Sequence, residues 1–186
     1  CSSVLWGLLW LPNKQIHAAG VDSLPMIVIA YTGVSLFLLP WLIRQYSRWV
    51  PAWQKMLAIA LLGGAANVAF NAAMIYGDVI RAMVLFYLLP VWGVIGGRVF
   101  LGEKIDAQRV LGVVLALLGA FLLLGATLDL FRNIGMADVM ALASGFFFAM
   151  NNIVFRASPT LPIISKIAAM FVGGAVHDRV RVNRQM

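Results

Sequence analysis

Long apolar segments separated by short polar turns make up most of this chain. Six of them approach the roughly 20 residues that a helix needs to cross a bilayer, and they cover residues 4–19, 24–43, 56–76, 79–100, 110–128 and 139–155. A seventh, at 161–176, is weaker because it contains Lys166. Backbone in lipid must satisfy its own hydrogen bonds, and these runs do not alternate as barrel strands do. The pattern predicts an all-α integral membrane protein, a bundle of about six or seven transmembrane helices.

The composition excludes a water-soluble domain. Hydrophobic residues make up 62% of the chain and charged residues 11%, so folding in water would expose large apolar patches. The net charge of +7 does not indicate a nucleic-acid partner, because the basic residues are dispersed between the apolar runs. In that arrangement they report the orientation of the helices in the membrane.

Lysine and arginine are distributed unequally between alternate loops. One side carries eight of them: Arg44, Arg48, Lys55, Arg98, Lys104, Arg109, Arg156 and Lys166. The other side carries Arg81 and Arg132. The first side and the N-terminus are therefore expected in the cytoplasm, and we expect a bacterial inner membrane. The basic tail at 177–186 breaks this rule, so either the seventh segment does not span or the tail is not the natural continuation of the chain.

The chain contains a weak internal repeat. Residues 6–19 align with 144–157, which places Asn13 on Asn151, and "SLPMI" at 23–27 aligns with "TLPII" at 160–164 at nearly the same offset. Five helices per repeat make the copies point in opposite directions, as in many transporters. The predicted organisation is a first repeat at 1–136 and an incomplete second repeat of two helices at 137–176. On this register about three helices of the second copy are missing, and the start at Cys1 indicates that the front is clipped.

Proline and glycine punctuate the fourth and fifth segments. Pro90 lacks a backbone donor and predicts a kink in the fourth helix. Glycines in both segments predict close helix packing; they are Gly93, Gly97, Gly112 and Gly119.

Residues 84–125 resemble the EamA-type domain of the drug/metabolite transporter superfamily. In that domain a helix with an internal proline ends in a Gly-Glu turn and precedes a glycine-rich helix, a pattern matched by Pro90, Gly102, Glu103, Gly112 and Gly119. The resemblance implies a carrier or exporter of small metabolites, such as amino acids or amphipathic drugs, that works by alternating access in a ten-helix, full-length form. One departure is that this chain has Tyr31 and Thr32 where the family usually has an arginine, so any substrate role of that arginine is not transferable.

Polar residues inside the apolar segments outline a candidate substrate cavity. Lys14 lies deep in the first segment, where a lysine costs about 2.5 to 3.5 kcal/mol. The candidate cavity residues are Asn13, Lys14, Asn67, Asn71, Tyr87, Asn151 and Asn152. Two alternatives stay open: Lys14 snorkels to the interface, and the asparagines tie helices together. Glu103 is either part of a solvated ion-pair turn or a gate contact.

The apolar segments contain no set of residues for catalysis, metal binding or cofactor binding. The acidic residues all lie near helix ends or in the tail, and His17 is the one candidate for a proton relay. We therefore expect no enzyme activity, no metal and no cofactor. The expected partners are a small-molecule substrate, the lipid bilayer and, as an alternative to a monomer, a second copy. The competing hypothesis is a non-transporting membrane interaction protein or an inactive fragment.

The orientation is tested by cysteine labelling. After replacement of Cys1, cysteines at Ser47 and Ser23 should differ in reactivity with an impermeant thiol reagent in intact cells, because the charge bias places position 47 inside. Position 23 should be labelled from outside. Preferential external labelling of position 47 would contradict the orientation.

Overall fold

The computed structural model describes residues 23–123 and 134–185, and every regular element in these two ranges is helical. Numbered along the chain, the helices are α1 Ser23–Arg44, α2 Tyr46–Trp49, α3 Trp53–Tyr76, α4 Val79–Phe86, α5 Leu89–Leu101, α6 Ala107–Leu123, α7 Met136–Arg156 and α8 Ile163–Gln185, with a 3-10 turn at Val50–Ala52. The prediction of an all-α membrane bundle is confirmed. The predicted span at 4–19 and the end of the span at 110–128 lie outside the described residues.

The helix lengths agree with most of the predicted spans. Helices α1, α3 and α7 cover the spans predicted at 24–43, 56–76 and 139–155. Among the described residues, three segments are long and apolar enough to cross a membrane: Tyr46–Tyr76, Val79–Leu101 and Met136–Arg156. Helix α8 differs from the prediction, because it continues to Gln185 where the sequence indicated an end near residue 176. Neither glycine nor proline follows Val176, so nothing in the local sequence stops the helix.

Aspartates begin two of the helices, and a glycine ends a third. The carboxylate of Asp78 accepts a hydrogen bond from the backbone N–H of Arg81 at 2.9 Å and begins α4. Asp106 does the same for Arg109 at the start of α6, also at 2.9 Å. Gly102 ends α5 with a φ of 67°, a left-handed conformation that glycine adopts without strain. These caps satisfy backbone groups that a helix terminus leaves free.

Helix α7 lies at the centre of the described bundle. It packs against α3, α4 and α5, while α8 packs against α3 and α1. Helix α6 touches the others only lightly, through α5. The buried apolar side chains are mostly alanines, including Ala66, Ala72, Ala73, Ala82, Ala141, Ala149, Ala168 and Ala169. Small residues let helices approach closely, which is how membrane helices gain packing energy in the absence of a hydrophobic driving force.

Hydrogen bonds and ion pairs between helix termini show which termini lie at the same end of the bundle. Lys55 at the start of α3 donates to the carbonyl of Ala157 after α7, and Ser165 in α8 donates to Gln45 after α1 at 2.7 Å. We call this end of the bundle, which also carries Arg156, the basic end. The starts of α4 and α7 lie at the opposite end, where Arg81 meets α7.

The fourth predicted span is two helices instead of one. Helices α4 and α5 are separated by a turn at Tyr87 and Leu88, and Pro90 lies in the first turn of α5. Pro90 has no N–H to offer to the carbonyl of Phe86, so the helix breaks one turn before the proline. Gly145 of α7 faces this break, and a Cβ there would lie 3.1 Å from the Phe86 oxygen. The break lies where the sequence predicts a kink, and α7 covers it.

Glycines on both helices form the crossing of α3 and α8. A Cβ on Gly64 would lie 2.6 Å from the carbonyl carbon of Gly173. A Cβ on Gly173 would overlap the carbonyl oxygen of Ala60. Next to this contact, Gly174 packs against the ring of Tyr31 from α1. The two backbones are thus in direct contact, and no larger residue fits between them.

The crossing predicts that Gly173→Ala destabilises the fold. The added methyl group must push α8 away from Ala60, which should lower the free energy of unfolding by about 1 to 3 kcal/mol. Gly112→Ala is the matched control, because a Cβ at Gly112 meets nothing within 4 Å in the part of the chain that the structure describes. Thermal unfolding in detergent micelles measures both variants. Equal unfolding temperatures for the two would contradict the crossing.

Candidate functional site

A cleft of about 280 Å³ lies between α5, α6 and α7. Its walls are mainly apolar, and its polar groups are one amide and three charged side chains. The lining residues are Leu89, Pro90, Gly93, Val94, Glu103, Arg109, Val113, Ala149, Asn152, Ile153 and Arg156. Apolar walls with a few convergent polar groups are typical of small-molecule sites.

Backbone features of α5 keep this cleft open. Gly93 contributes no side chain, and a Cβ there would meet nothing within 4 Å among the described residues. Pro90, one turn earlier, starts the helix at an angle set by the break. A larger depression, about 450 Å³, is lined by Arg98, Lys104 and Ile105. Two of its three lining residues are basic and only Ile105 is apolar, so the cleft is the better candidate for a binding site.

Glu103 closes the basic end of the cleft with two ion pairs. Its Oε1 lies 2.9 Å from the guanidinium of Arg156 on α7, and its Oε2 contacts Arg109 on α6. The turn at Gly102 aims the side chain, because the Glu103 N–H bonds back to Gly97 at 3.1 Å. The three side chains are 26% to 47% exposed, so each pair adds little to stability. The two ion pairs connect the end of α5 to both α6 and α7 at this end of the cleft.

Two neighbouring asparagines of α7 point in different directions. Asn152 is exposed and lines the cleft. Asn151 is 1% exposed and donates to the sulfur of Met170 on α8 at 3.6 Å. Its Oδ1 has no hydrogen-bond donor among the residues that the structure describes. Consecutive helical residues are about 100° apart, so one amide serves the cleft and the other serves the packing of α8.

Comparison with known proteins decides the family. The model of the EamA-like transporter family matches residues 1–125, about two thirds of the chain. The chain belongs to the EamA-like transporter family. No curated protein and no solved structure matched it. The resemblance inferred from the proline and the Gly-Glu turn is confirmed.

Membership of the EamA-like family makes this chain a membrane transporter of the drug/metabolite type. The match includes α5, the Glu103 turn and all of α6. Of the residues that carried the resemblance, Pro90 and Glu103 line the cleft. The region that identifies the family therefore forms two of the three cleft walls.

The other candidate cavity residues that the structure describes do not line the cleft. Asn67 and Asn71 of α3 donate to the carbonyls one turn earlier in their own helix, and Asn67 accepts from the hydroxyl of Tyr31 at 2.8 Å. Tyr87 is exposed and packs edge-on against Phe86. Asn13 and Lys14 lie outside the described residues. The structure thus brings Asn152 to the cleft and uses Asn67 to tie α1 to α3.

The glycines divide between packing and open space. Gly96, which the sequence analysis passed over, packs against Met150 and Ile153 of α7. A Cβ on Gly97 would lie 2.9 Å from the side chains of both Glu103 and Arg156. At three of the predicted packing glycines a Cβ would meet no other part of the two described ranges within 4 Å: Gly93, Gly112 and Gly119. On α5, the contact with α7 is therefore made by Gly96, with Gly97 beside it against Glu103 and Arg156.

Two lysines hold the end of α7. Lys55 donates to the carbonyl of Ala157 at 3.2 Å. Lys166 donates to the carbonyl of Phe155 at 3.0 Å and lies over that residue's ring. Cations are favourable at a helix C-terminus, where free carbonyls carry partial negative charge. The sequence marked Lys166 as a weakness of the seventh span, but its head group is satisfied by the preceding helix.

Proposed function

We propose that the protein is a carrier of small amphipathic metabolites, of the size of amino acids or small amphipathic drugs, and that its full-length form works by alternating access. The cleft between α5, α6 and α7 is the proposed substrate site. It combines apolar walls with the Asn152 amide and the charged group of Glu103, Arg109 and Arg156 at one end. The observation that carries the proposal is this cleft in a chain of the EamA-like family.

The chemistry of the cleft favours a substrate with one apolar and one ionic part. Val94, Val113 and Ile153 form an apolar surface in the cleft. An apolar group of the substrate can pack against this surface without burying a polar group of the protein. The two arginines exceed the single carboxylate by one positive charge, so a carboxylate or similar anionic head is the better fit at that end. An amino acid with an apolar side chain and an amphipathic acid both meet this description.

The packing of α1 and α8 supports the proposal of inverted repeats at 1–136 and from 137 onward. These helices hold equivalent positions in the two copies, since residues 23–27 align with 160–164. They pack antiparallel, because Tyr31 meets Phe171 and Gln45 meets Ser165. Equivalent helices that cross antiparallel are expected around a two-fold axis in the membrane plane. Such an arrangement permits rocking of one repeat against the other.

The proposed location is a bacterial inner membrane with the basic end in the cytoplasm. The eight lysine and arginine residues of one side include Lys55, Arg109 and Arg156, which meet at the basic end. Positive charge is enriched in cytoplasmic loops. In this orientation the Glu103 contacts close the cleft on the cytoplasmic side.

Counterflow in proteoliposomes tests the proposed site. The protein, and a form carrying two complete repeats, would be assayed with labelled apolar amino acids and amphipathic acids. Asn152→Leu should lower uptake at subsaturating substrate about tenfold, the effect of losing one hydrogen bond to the substrate. Asn71→Leu is the matched control, because that amide bonds to its own helix, and uptake should be retained.

Three outcomes of this assay contradict the proposal. Uptake lost in Asn71→Leu but retained in Asn152→Leu would move the site away from the cleft to α3. No saturable uptake by either form would contradict the carrier function and favour a membrane interaction protein. Saturable uptake that is insensitive to both substitutions would exclude the cleft as the site.

A further inference from the structure

Helix α7 is joined to the broken helix α4–α5 by a second ion pair at the opposite end of the bundle. The Nε of Arg81, near the start of α4, lies 2.9 Å from the Oδ1 of Asp138 in the first turn of α7. The other carboxylate oxygen of Asp138 accepts the backbone N–H of Gly135 at 2.7 Å. The carboxylate is therefore held in place by its own helix terminus and presents one oxygen to α4.

The two ion pairs belong to different halves of the broken helix. Arg81 is on α4, before the turn at Tyr87 and Leu88, while Glu103 follows α5. Each half is thus tied to α7 at the end farthest from the break. Pro90 cannot donate to the carbonyl of Phe86, and the backbone bonds that remain at the turn, such as that from Leu88 to Leu85 at 3.3 Å, are fewer than in a continuous helix, so the joint between the halves is weaker than regular helix.

The ion pair of Arg81 and Asp138 is better sheltered than the pairs of Glu103. The side chains of Arg81 and Asp138 are 20% and 11% exposed, against 47% for Arg156 and 26% for Glu103. A sheltered pair is less screened by solvent and salt, and loss of one partner leaves a poorly solvated charge. The ion pair of Arg81 and Asp138 is therefore suited to hold a closed conformation. Opening it costs free energy, because both charges lose their partner in a poorly solvated place.

We infer that Arg81 and Asp138 form the closing contact on the outer side of the transporter, the counterpart of Glu103 and Arg156 on the cytoplasmic side. This inference rests on the proposed alternating-access function. The described conformation has both contacts formed. When the ion pair of Arg81 and Asp138 opens, the cleft becomes accessible from the outside. When the ion pair of Glu103 and Arg156 opens, the cleft becomes accessible from the cytoplasm. Arg81 and Asp138 are positioning residues that need not touch the substrate.

Cysteine accessibility tests the inference without a transport measurement. In the full chain with Cys1 replaced by serine, Asn152→Cys reports on the cleft. The reporter is modified by an impermeant thiol reagent in inside-out vesicles. Arg81→Gln and Asp138→Asn each favour the outward-open state, so the rate of cytoplasmic labelling should fall about fivefold. Glu103→Gln should raise the same rate.

The double variant separates a specific contact from general damage. If the two residues act through their ion pair, Arg81→Gln combined with Asp138→Asn should label no more slowly than either single variant. Asp78→Asn is the matched control, because Asp78 also lies at this end and accepts a backbone bond within α4; its labelling should equal that of the parent. Thermal unfolding checks that each variant remains folded.

The results that would contradict the outer contact differ from those that would contradict the proposed carrier function. Unchanged labelling in Arg81→Gln and Asp138→Asn, with faster labelling in Glu103→Gln, overturns the outer contact but leaves the carrier proposal intact. Strictly additive effects of the two substitutions also overturn it, because independent residues do not form one contact. If neither end affects labelling and counterflow is also absent, the outer contact and the proposed function fail together.

Discussion

The carbonyl that Pro90 leaves without its helical donor is the constraint on which the rest of this structure depends. In lipid a free carbonyl is costly, so a broken helix is tolerated only where protein or a water-filled cavity covers it. Here α7 provides the cover, because Gly145 lets its backbone approach Phe86. After the break, Gly96 of α5 packs against α7 and Gly93 lines the cleft. The break, the packing contact and the cleft therefore lie next to one another on this helix.

Charged groups then fix both ends of the helix that covers the break. At the basic end, Lys55 and Lys166 bond to carbonyls at the C-terminus of α7, and Arg156 pairs with Glu103. At the other end Asp138 pairs with Arg81. Contacts of this kind add modest stability where solvent reaches them. They confine α7 at both of its ends, and the cleft lies along the C-terminal part of this helix.

Local features of the sequence predicted local features of the structure. Hydrophobic runs gave the helices, Pro90 gave the break, and the Gly-Glu turn at Gly102 and Glu103 gave the end of α5. Contacts between distant segments were not predictable in this way. Arg156 and Glu103 are far apart in the sequence but form an ion pair. Which of Gly93 and Gly96 packs against α7 depends on how α5 is turned about its axis, and periodicity does not specify that. Asn67 looked like a cavity residue because a polar group in lipid signals function or packing equally well.

The central claim is that the two halves of the broken helix move separately against α7. Pulsed electron paramagnetic resonance on spin-label pairs tests it most directly, with labels at Ile80 and Val139 for one end and at Val99 and Ala157 for the other. These four positions are exposed, so the labels should not disturb packing. With Glu103→Gln the distance between Val99 and Ala157 should lengthen while that between Ile80 and Val139 stays unchanged. A shift of both distances together would show that α4 and α5 move as one rigid helix and would contradict the account.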